Sequence, residues 1–549
     1  MADAQLAPAP GRSAADLIAR RLAQAGCTHA FGIPGGETLA MMEALSDAGL
    51  RFVLTKHENS AGFMAEGVYH ATGAPGVLLA TIGPGVANAV NVVANAEQDR
   101  VPLLFLSGCV DADVGQRYTH QVFDHTALLA PITRASFRMA PGVVDVMVDK
   151  ALALACDSPP GPVHLYLPIS LARQEQAETL VASRSQPLAG GPQPGPDLEA
   201  ARAKLAKAKR PLMVAGLEVL GLGEADSAAA EVAAFCRDLS IPLITTYKAK
   251  GILPEDDALA LGGAGLSPEA DKVLLPLMDQ ADLIIAAGYD PIEMRSGWCD
   301  PWDPAKVIEF STTPNHHYVH QASQSFIGDI GAGLAALRGE GTAPAASWPG
   351  GEAQAARAAL KAFFSSDGSW GPTQAIEAAR AAMPRDTVAT VDSGAHRILL
   401  SQVWECYRER GLLQSTGLCT MGCALPLAMG YKLASPETPV VAFTGDAGLE
   451  MVLGELATLR DLQLPVIVVV FVDASLALIE LKQRRDQLPN LGVDFGRTDF
   501  PAVAQALGGH GVSVRDAAGM QEALEAAQRR ESFTVIACEI DRKSYDGTF

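Results

Sequence analysis

The sequence predicts an α/β protein of three consecutive doubly wound domains, each a parallel sheet covered by helices, and three observations lead there. The 549 residues suffice for about three domains of ~100–200 residues, and a 48% hydrophobic content can fill their cores. Two stretches dense in Pro, Gly and small residues, SQPLAGGPQPGP (Ser185 to Pro196) and GEGTAPAASWPGG (Gly339 to Gly351), cut the chain into three similar lengths. Within each length, short apolar runs alternate with Ala/Leu-rich helical segments, the signature of parallel sheets with helices on their faces.

Taken in order, residues 1–12 (MADAQLAPAPGR) read as a loose tail, with no basic start and apolar core to make a signal peptide. The first domain, 13–185, carries the runs VLLATI and PLLFLSG, and the central domain, 197–338, carries PLMVAG and ADLIIAAG. A linker over 339–360 precedes the third domain, 361–549, with PVVAFTG and PVIVVVFV. The longest apolar runs fall far short of the ~20 residues a membrane helix needs, so no membrane partner is expected. Lys and Arg number 42 against 62 Asp and Glu, a formal charge of -20 with no basic run, which argues against a nucleic-acid partner. The nine Cys are scattered without metal-type spacing and fit a reducing cytoplasm; Cys419 and Cys423 read as small core residues.

The third domain holds the most informative chemistry. In VVAFTGDAGLE (Val440 to Glu450) an apolar strand stops at a Gly-Asp-Ala-Gly turn and hands over to a helix, which puts Asp446 at the carboxyl end of a strand, where open α/β sheets keep their ligands. The next strand, PVIVVVFV, ends at Asp473, followed by Ala474 and Ser475. Two strand-end carboxylates on one sheet edge suit Mg²⁺, which takes oxygen ligands from one or two carboxylates plus phosphate. Gly445 and Gly448 leave the backbone open, and the helix start offers free N–H groups to an anion, so the turn reads as a Mg²⁺-diphosphate site. Asp446 alone also reads as a helix cap.

The segment GDAGLEMVLGELATLRDLQLPVIVVVFVDAS resembles the diphosphate and metal motif of thiamine diphosphate enzymes, with Ala447 for the third Gly and Val472-Asp473 for the closing Asn pair. The resemblance implies metal ligation by Asp446, Asp473 and the carbonyl of Ser475, and cofactor contacts at Gly445, Ala447, Gly448 and Leu476. It extends over nearly the whole chain, in the order pyrimidine domain, central domain, diphosphate domain. KHENSAGFMAEG places Glu58 where the family has the glutamate that activates the cofactor through its aminopyrimidine ring, and ATIGPGVANAV matches the Gly-Pro-Gly turn with Asn88 following. FGIPGGETL, with Pro34 and Gly35, matches the first strand-to-helix turn, and VDSGAHRILL puts Gly394 and His396 near the diphosphate. In TGLCTMGCALPLAMG, Met421 falls where the family wedges an apolar side chain under the cofactor, and the Cys419 carbonyl, at a position usually Gly, would accept from its 4′-amino group. By themselves Glu58 reads as a helix surface charge, Met421 as core filler and His396 as structural.

Within the family, RYTHQVFDHTALLAPIT and LKQRRDQLPNLGVDFGRTDF look most like acetolactate synthases, closest to the catabolic, FAD-independent type. That likeness implies Gln121 on the substrate side, His120 either orienting substrate or bonding a loop, and no FAD, since GYDPIEMRSGWCDPWDP lacks the Arg/Asp-rich loop of the flavin-binding branch. Glu37 stands where the catabolic synthases have Lys, Lys482 where they have Gln, and Ile82 where a Ser is expected; Lys482 reads either as a cation for a carboxylate substrate or as a solvated helix residue. The implied function is decarboxylation of a 2-oxo acid with transfer of its acyl unit to a second carbonyl, in a dimer or tetramer. A decarboxylase, lyase or carboligase for another oxo acid or aldehyde is the alternative.

Overall fold

The computed structural model describes residues 12–178, 190–223 and 227–549. The tail expected over 1–12, Arg12 apart, and residues 185–189 of the first Pro/Gly-rich stretch lie outside the described residues. β1 (Arg12–Ser13) pairs antiparallel with β8 (Glu175–Gln176). Between them run β2 (His29–Ile33), β3 (Arg51–Leu54), β4 (Gly76–Ala80), β5 (Leu103–Cys109), β6 (Ala135–Arg138) and β7 (Pro162–Pro168), a parallel sheet in the order β3-β2-β4-β5-β7-β6.

The second sheet joins β9 (Pro211–Ala215), β10 (Leu243–Thr246), β11 (Ala260–Ala264), β12 (Leu283–Ala287), β13 (Val307–Ser311) and β14 (Gln324–Ile327) in the order β11-β10-β9-β12-β13-β14. The third joins β15 (Val388–Val391), β16 (Leu412–Gln414), β17 (Val440–Gly445), β18 (Ile467–Val472), β19 (His510–Val514) and β20 (Thr534–Glu539) as β16-β15-β17-β18-β20-β19. The three parallel sheets with their helices are the α/β fold read from the alternation of apolar runs. The first sheet, with Met429–Ser435, belongs to one compact unit, and the second and third sheets share another.

Local sequence sets the element ends. The helix Ala14–Gln24 starts at a capping box: Ser13 Oγ accepts from the Asp16 N–H at 3.1 Å, and the Asp16 carboxylate accepts from the Ser13 N–H at 3.2 Å. The helix Glu58–Thr72 stops at Gly73, whose φ of 76° is the left-handed C-cap that glycine adopts without strain. The central strands of each sheet are apolar on both faces because helices cover both, as β18, buried throughout, shows. Within the linker expected over 339–360, the helix Glu352–Phe363 begins and buries Ala353, Ala356 and Leu360.

Strand order decides where ligands can sit, because connections leave in opposite directions at one point in each sheet and open a crevice there. That point lies between β2 and β4, between β9 and β12, and between β15 and β17. No helix among the described residues is long and apolar enough to cross a membrane. All nine cysteines are free thiols, and Cys423 is buried as expected. Cys419 is exposed instead of buried and has a left-handed backbone (φ 55°), in a loop whose neighbours Thr416 and Thr420 are buried.

Candidate active site

At the first sheet's crevice, the turns after β2 and β4 press together. A Cβ on Gly35 would lie 2.1 Å from Thr81 Oγ1, so only glycine allows this approach, with Pro34 leading into the turn. Glu37 ties the turns: its Oε1 accepts from Thr81 Oγ1 at 2.6 Å and from the Ile82 N–H at 2.7 Å. The sequence presented Glu37 as a replaced cation, whereas in the structure it is a brace. Behind it lies a cavity of about 10 Å³, room for roughly one water, lined among others by Met41, Ser107 and Gly108.

Glu58 heads its helix yet is only 4% exposed, with Oε2 accepting from Asn88 Nδ2 at 3.0 Å. This buried placement departs from the surface charge that Glu58 suggests in isolation. Its Oε1 lies 3.3 Å from where a Cβ on Gly85 would stand, so the Gly83–Gly85 turn packs directly on the carboxylate. Gln121, with φ at 61°, lies against the same turn: a Cβ on Gly83 would meet its carbonyl oxygen at 2.7 Å. His120 is exposed and edge-on to Tyr118, with ring centroids 6.1 Å apart.

At the third sheet's crevice, Asp446 follows β17 and Asp473 follows the neighbouring β18. Asp446 Oδ2 accepts from the Ala474 N–H at 2.7 Å and the Asp473 N–H at 3.1 Å, while Oδ1 accepts from the Ala447 N–H at 2.8 Å. Burial nevertheless pushes its carboxyl above the usual range. Burial, and then the neighbouring charge of Asp446, push Asp473 up to about 7. Two carboxylates that resist ionising together are a pair that a cation would relieve. Among the described residues no group of three or more His, Cys, Asp or Glu side chains is arranged for a metal, so any ion here must draw its remaining oxygens from backbone and ligand.

Ser475 is buried, with its N–H on Asp473 Oδ1 at 3.0 Å and its hydroxyl on Asp494 Oδ1 at 2.9 Å. The Leu476 N–H bonds the Val493 carbonyl at 2.8 Å, where the helix Ala477–Arg485 begins. Lys482 is exposed on that helix. The C-terminal segment docks beside this loop: Arg542 pairs with Asp494 at 2.6 Å, Arg484 with Asp546 at 2.6 Å, and Tyr545 is buried, its hydroxyl pushed up by burial and then by the charges of Asp473 and Asp446.

Bare backbone lines the crevice between β15 and β17. Cβ atoms on Gly394 and Gly445 would stand 2.4 Å and 3.3 Å from His396 Cε1, and one on Gly448 would stand 2.1 Å from Asp392 Oδ2. Asp392, which pattern reading missed, is fully buried and organises this crevice. Its Oδ1 bonds His396 Nε2 at 2.9 Å, and its Oδ2 accepts from the Gly422 N–H at 2.7 Å. That second bond, with the Ser393 N–H on the Thr420 carbonyl at 3.3 Å, latches the loop carrying Cys419 and Met421. The only sequence signal for Asp392 was its position at a strand end. Arg397 was missed too: it is 4% exposed and bonds Gln414 and Cys419.

At the crevice between β9 and β12 two turns approach closely. A Cβ on Gly216 would lie 2.4 Å from the Gly288 carbonyl oxygen, and Glu218 Oε2 accepts from the Thr312 N–H and hydroxyl and from Ser311 Oγ at 2.8, 2.9 and 3.1 Å.

Family descriptions match three segments: "Thiamine pyrophosphate enzyme, N-terminal TPP binding domain" over residues 12–128, the central domain of the same enzymes over 198–337, and their C-terminal TPP binding domain over 392–538. The acetolactate synthase of Bacillus subtilis is 29% identical over 542 residues, covering 96% of this chain and 93% of its own. The probable 2-ketoarginine decarboxylase of Pseudomonas aeruginosa is 30% identical over 518 residues, 90% and 88% of the two chains. The catabolic acetolactate synthase of Raoultella terrigena is 28% identical over 544 residues, 96% and 95%. With both crevices inside the matched TPP-binding segments, the chain belongs to the thiamine diphosphate enzymes and is an acetolactate synthase-like catalyst that forms or cleaves carbon–carbon bonds.

Proposed function

We propose that the chain decarboxylates a 2-oxo acid and joins the acyl unit to a second carbonyl compound, as an acetolactate synthase does. The observation that carries this reading is Glu58, buried and held by Asn88. Bound thiamine diphosphate supplies the electron sink for breaking and remaking the carbon–carbon bond. Asn88 donates to Glu58 Oε2 and leaves Oε1 free, the oxygen that would face and hold a proton toward the aminopyrimidine ring. Asp446, Asp473 and the Ser475 carbonyl would hold Mg²⁺ against the diphosphate, a donor set of hard oxygens that fits this ion. The bare turns at Gly394, Gly445, Ala447 and Gly448, with Leu476 beyond, would receive the diphosphate, with His396 fixed by Asp392 beside them. Met421 and the Cys419 carbonyl would shape the pyrimidine end. Gln121 lies at the Gly83 turn and would orient substrate, with His120 as an outer contact, and Lys482 would be an outer contact on the diphosphate domain.

A decarboxylase or carboligase for another 2-oxo acid is the second reading, and Glu37 favours it: its carboxylate braces two turns at the first sheet's crevice, and the resemblance expects a cation there. Mass-spectrometric product detection with thiamine diphosphate, Mg²⁺ and a panel of 2-oxo acids, with and without aldehyde acceptors, decides between them. Acetolactate from pyruvate alone supports the synthase. Free aldehyde, or ligation only of another pair, supports the second reading.

A further inference from the structure

Among the described residues the guanidinium of Arg397 has no counter-ion. It sits on the first turn of the helix Ala395–Val403, 4% exposed, with Nε donating to Gln414 Oε1 at 2.8 Å and Nη1 to Cys419 Sγ at 3.2 Å. Neither partner is a carboxylate; the Cys419 thiol itself donates to the Thr416 carbonyl at 2.8 Å. Among the described residues no carboxylate pairs with Arg397, and Nη2 makes no hydrogen bond. A buried cation without an anion is costly, and such a charge persists where a ligand completes it.

Gln414 gives an independent sign of the same need. It is 1% exposed, its Oε1 is taken by Arg397 and Ser401, and its Nε2 is buried without an acceptor. The free Nη2 of Arg397 and the buried Nε2 of Gln414 thus both lack a protein acceptor, near Cys419, whose exposure marks an opening to solvent. The place is not the diphosphate turn. Gln414 ends the edge strand β16, which β15 separates from β17 and its Gly445–Gly448 turn.

We infer that Arg397 and Gln414 form a subsite for a substrate carboxylate that survives the reaction. A carboxylate departing as CO2 loses its charge on the way, so an ion pair to it would hold the ground state more than the transition state. The anion held here is therefore one the product retains: a second carboxylate of the donor, or the carboxylate of an acceptor. This inference rests on the reading of the Cys419–Met421 loop as part of the cofactor site.

The test is equilibrium binding to the full chain, first of thiamine diphosphate with Mg²⁺, then of two inert carboxylates with their neutral amides as controls. Oxamate, with its carboxylate beside a carbonyl, stands for an acceptor; glutarate stands for a donor's distal carboxylate. At least one binds the wild type, and Arg397→Gln weakens it by about 10-fold or more while thiamine diphosphate binding stays within about 2-fold. Arg397→Lys keeps the charge but not the fork, gives an intermediate loss, and serves if the Gln variant fails to fold. Equal binding by wild type and variants, or no binding of either carboxylate by the wild type, overturns the inference. Loss of thiamine diphosphate binding in the Gln variant also overturns it, because Arg397 would then serve the cofactor loop. A wild type that fails to bind thiamine diphosphate overturns the underlying site reading instead.

Discussion

Glu58 begins a helix, a position where a carboxylate is ordinarily solvated, and is buried against Asn88 instead. Glu58→Gln preserves shape and an acceptor for Asn88 but cannot exchange a proton. It is expected to lower turnover by about 100-fold or more with little change in melting temperature, measured by product formation and calorimetry; full activity in this variant would remove Glu58 from catalysis. Asp473 makes a second residue-scale prediction. Asp473→Asn takes one of two carboxylates from the proposed cation site, so half-maximal activation after chelator treatment is expected to need at least about 10-fold more Mg²⁺. An unchanged Mg²⁺ titration would place the ion elsewhere. Asp473 stands out in the sequence because it follows an apolar run, whereas Glu58 is marked only by the family resemblance. Arg397 is marked by neither, because a helical Arg looks the same in sequence whether its head ends in water or under a loop.

Turns, more than sheets, give this protein its chemistry. The Gly83 turn touches Glu58 through Gly85 and Gln121 through Gly83, so one short segment connects two sequence-distant side chains. Gly83 has φ at 73°, and a Cβ there would press on the Gln121 carbonyl. Gly83→Ala is expected to cost about 1–3 kcal/mol in chemical denaturation, from the backbone conformation and the contact together. A variant as stable as the wild type would show that the loop carrying Gln121 yields freely. The strand-end carboxylates were legible because strand, turn and helix each have a local signature, and the Gly-Pro-Gly turn was legible through the family resemblance. That Glu37 braces the turn was not, because Thr81 and Ile82 lie on another connection and meet it only when β2 and β4 pair.

At the scale of the whole molecule, buried ionisable groups set how stability responds to pH and substitution. In the unit of the first sheet, burial, and then the nearby charge of His125, bring His164 down to about 3; it stays neutral between Ser107 and Ser136, each at 2.8 Å. The unfolded chain takes up this proton below about 6.5 and the folded chain does not, so stability falls as pH drops from there toward 3, by up to about 1.4 kcal/mol per pH unit. Denaturation of wild type and His164→Asn between pH 7 and 4 is expected to give a shallower slope for the variant, and equal slopes would sink the assignment. In the other unit, Lys250, deeply buried, reaches from the second sheet's segment to the Ser401 carbonyl at 2.8 Å and pairs at 2.9 Å with Glu255, whose side chain is 9% exposed. Lys250→Met strands the Glu255 carboxylate and is expected to cost about 3–5 kcal/mol, most of it recovered by adding Glu255→Leu. Additive losses in the double variant would show that the two residues act separately.

The sequence by itself determined the α/β class, the three parallel sheets and the strand-end carboxylates Asp446 and Asp473, because hydrophobic period and turn composition act over a few residues. It marked Glu58 only through resemblance to a family. The tertiary structure alone decided that Glu37 is a brace, that Asp392 latches a loop, that Tyr545 is buried within the field of two carboxylates and that Arg397 is a buried cation without an anion among the described residues. The physical reason is common to all four. Burial and pairing depend on which strands become neighbours, and the order β16-β15-β17-β18 is a property of the folded sheet that no short stretch of chain encodes.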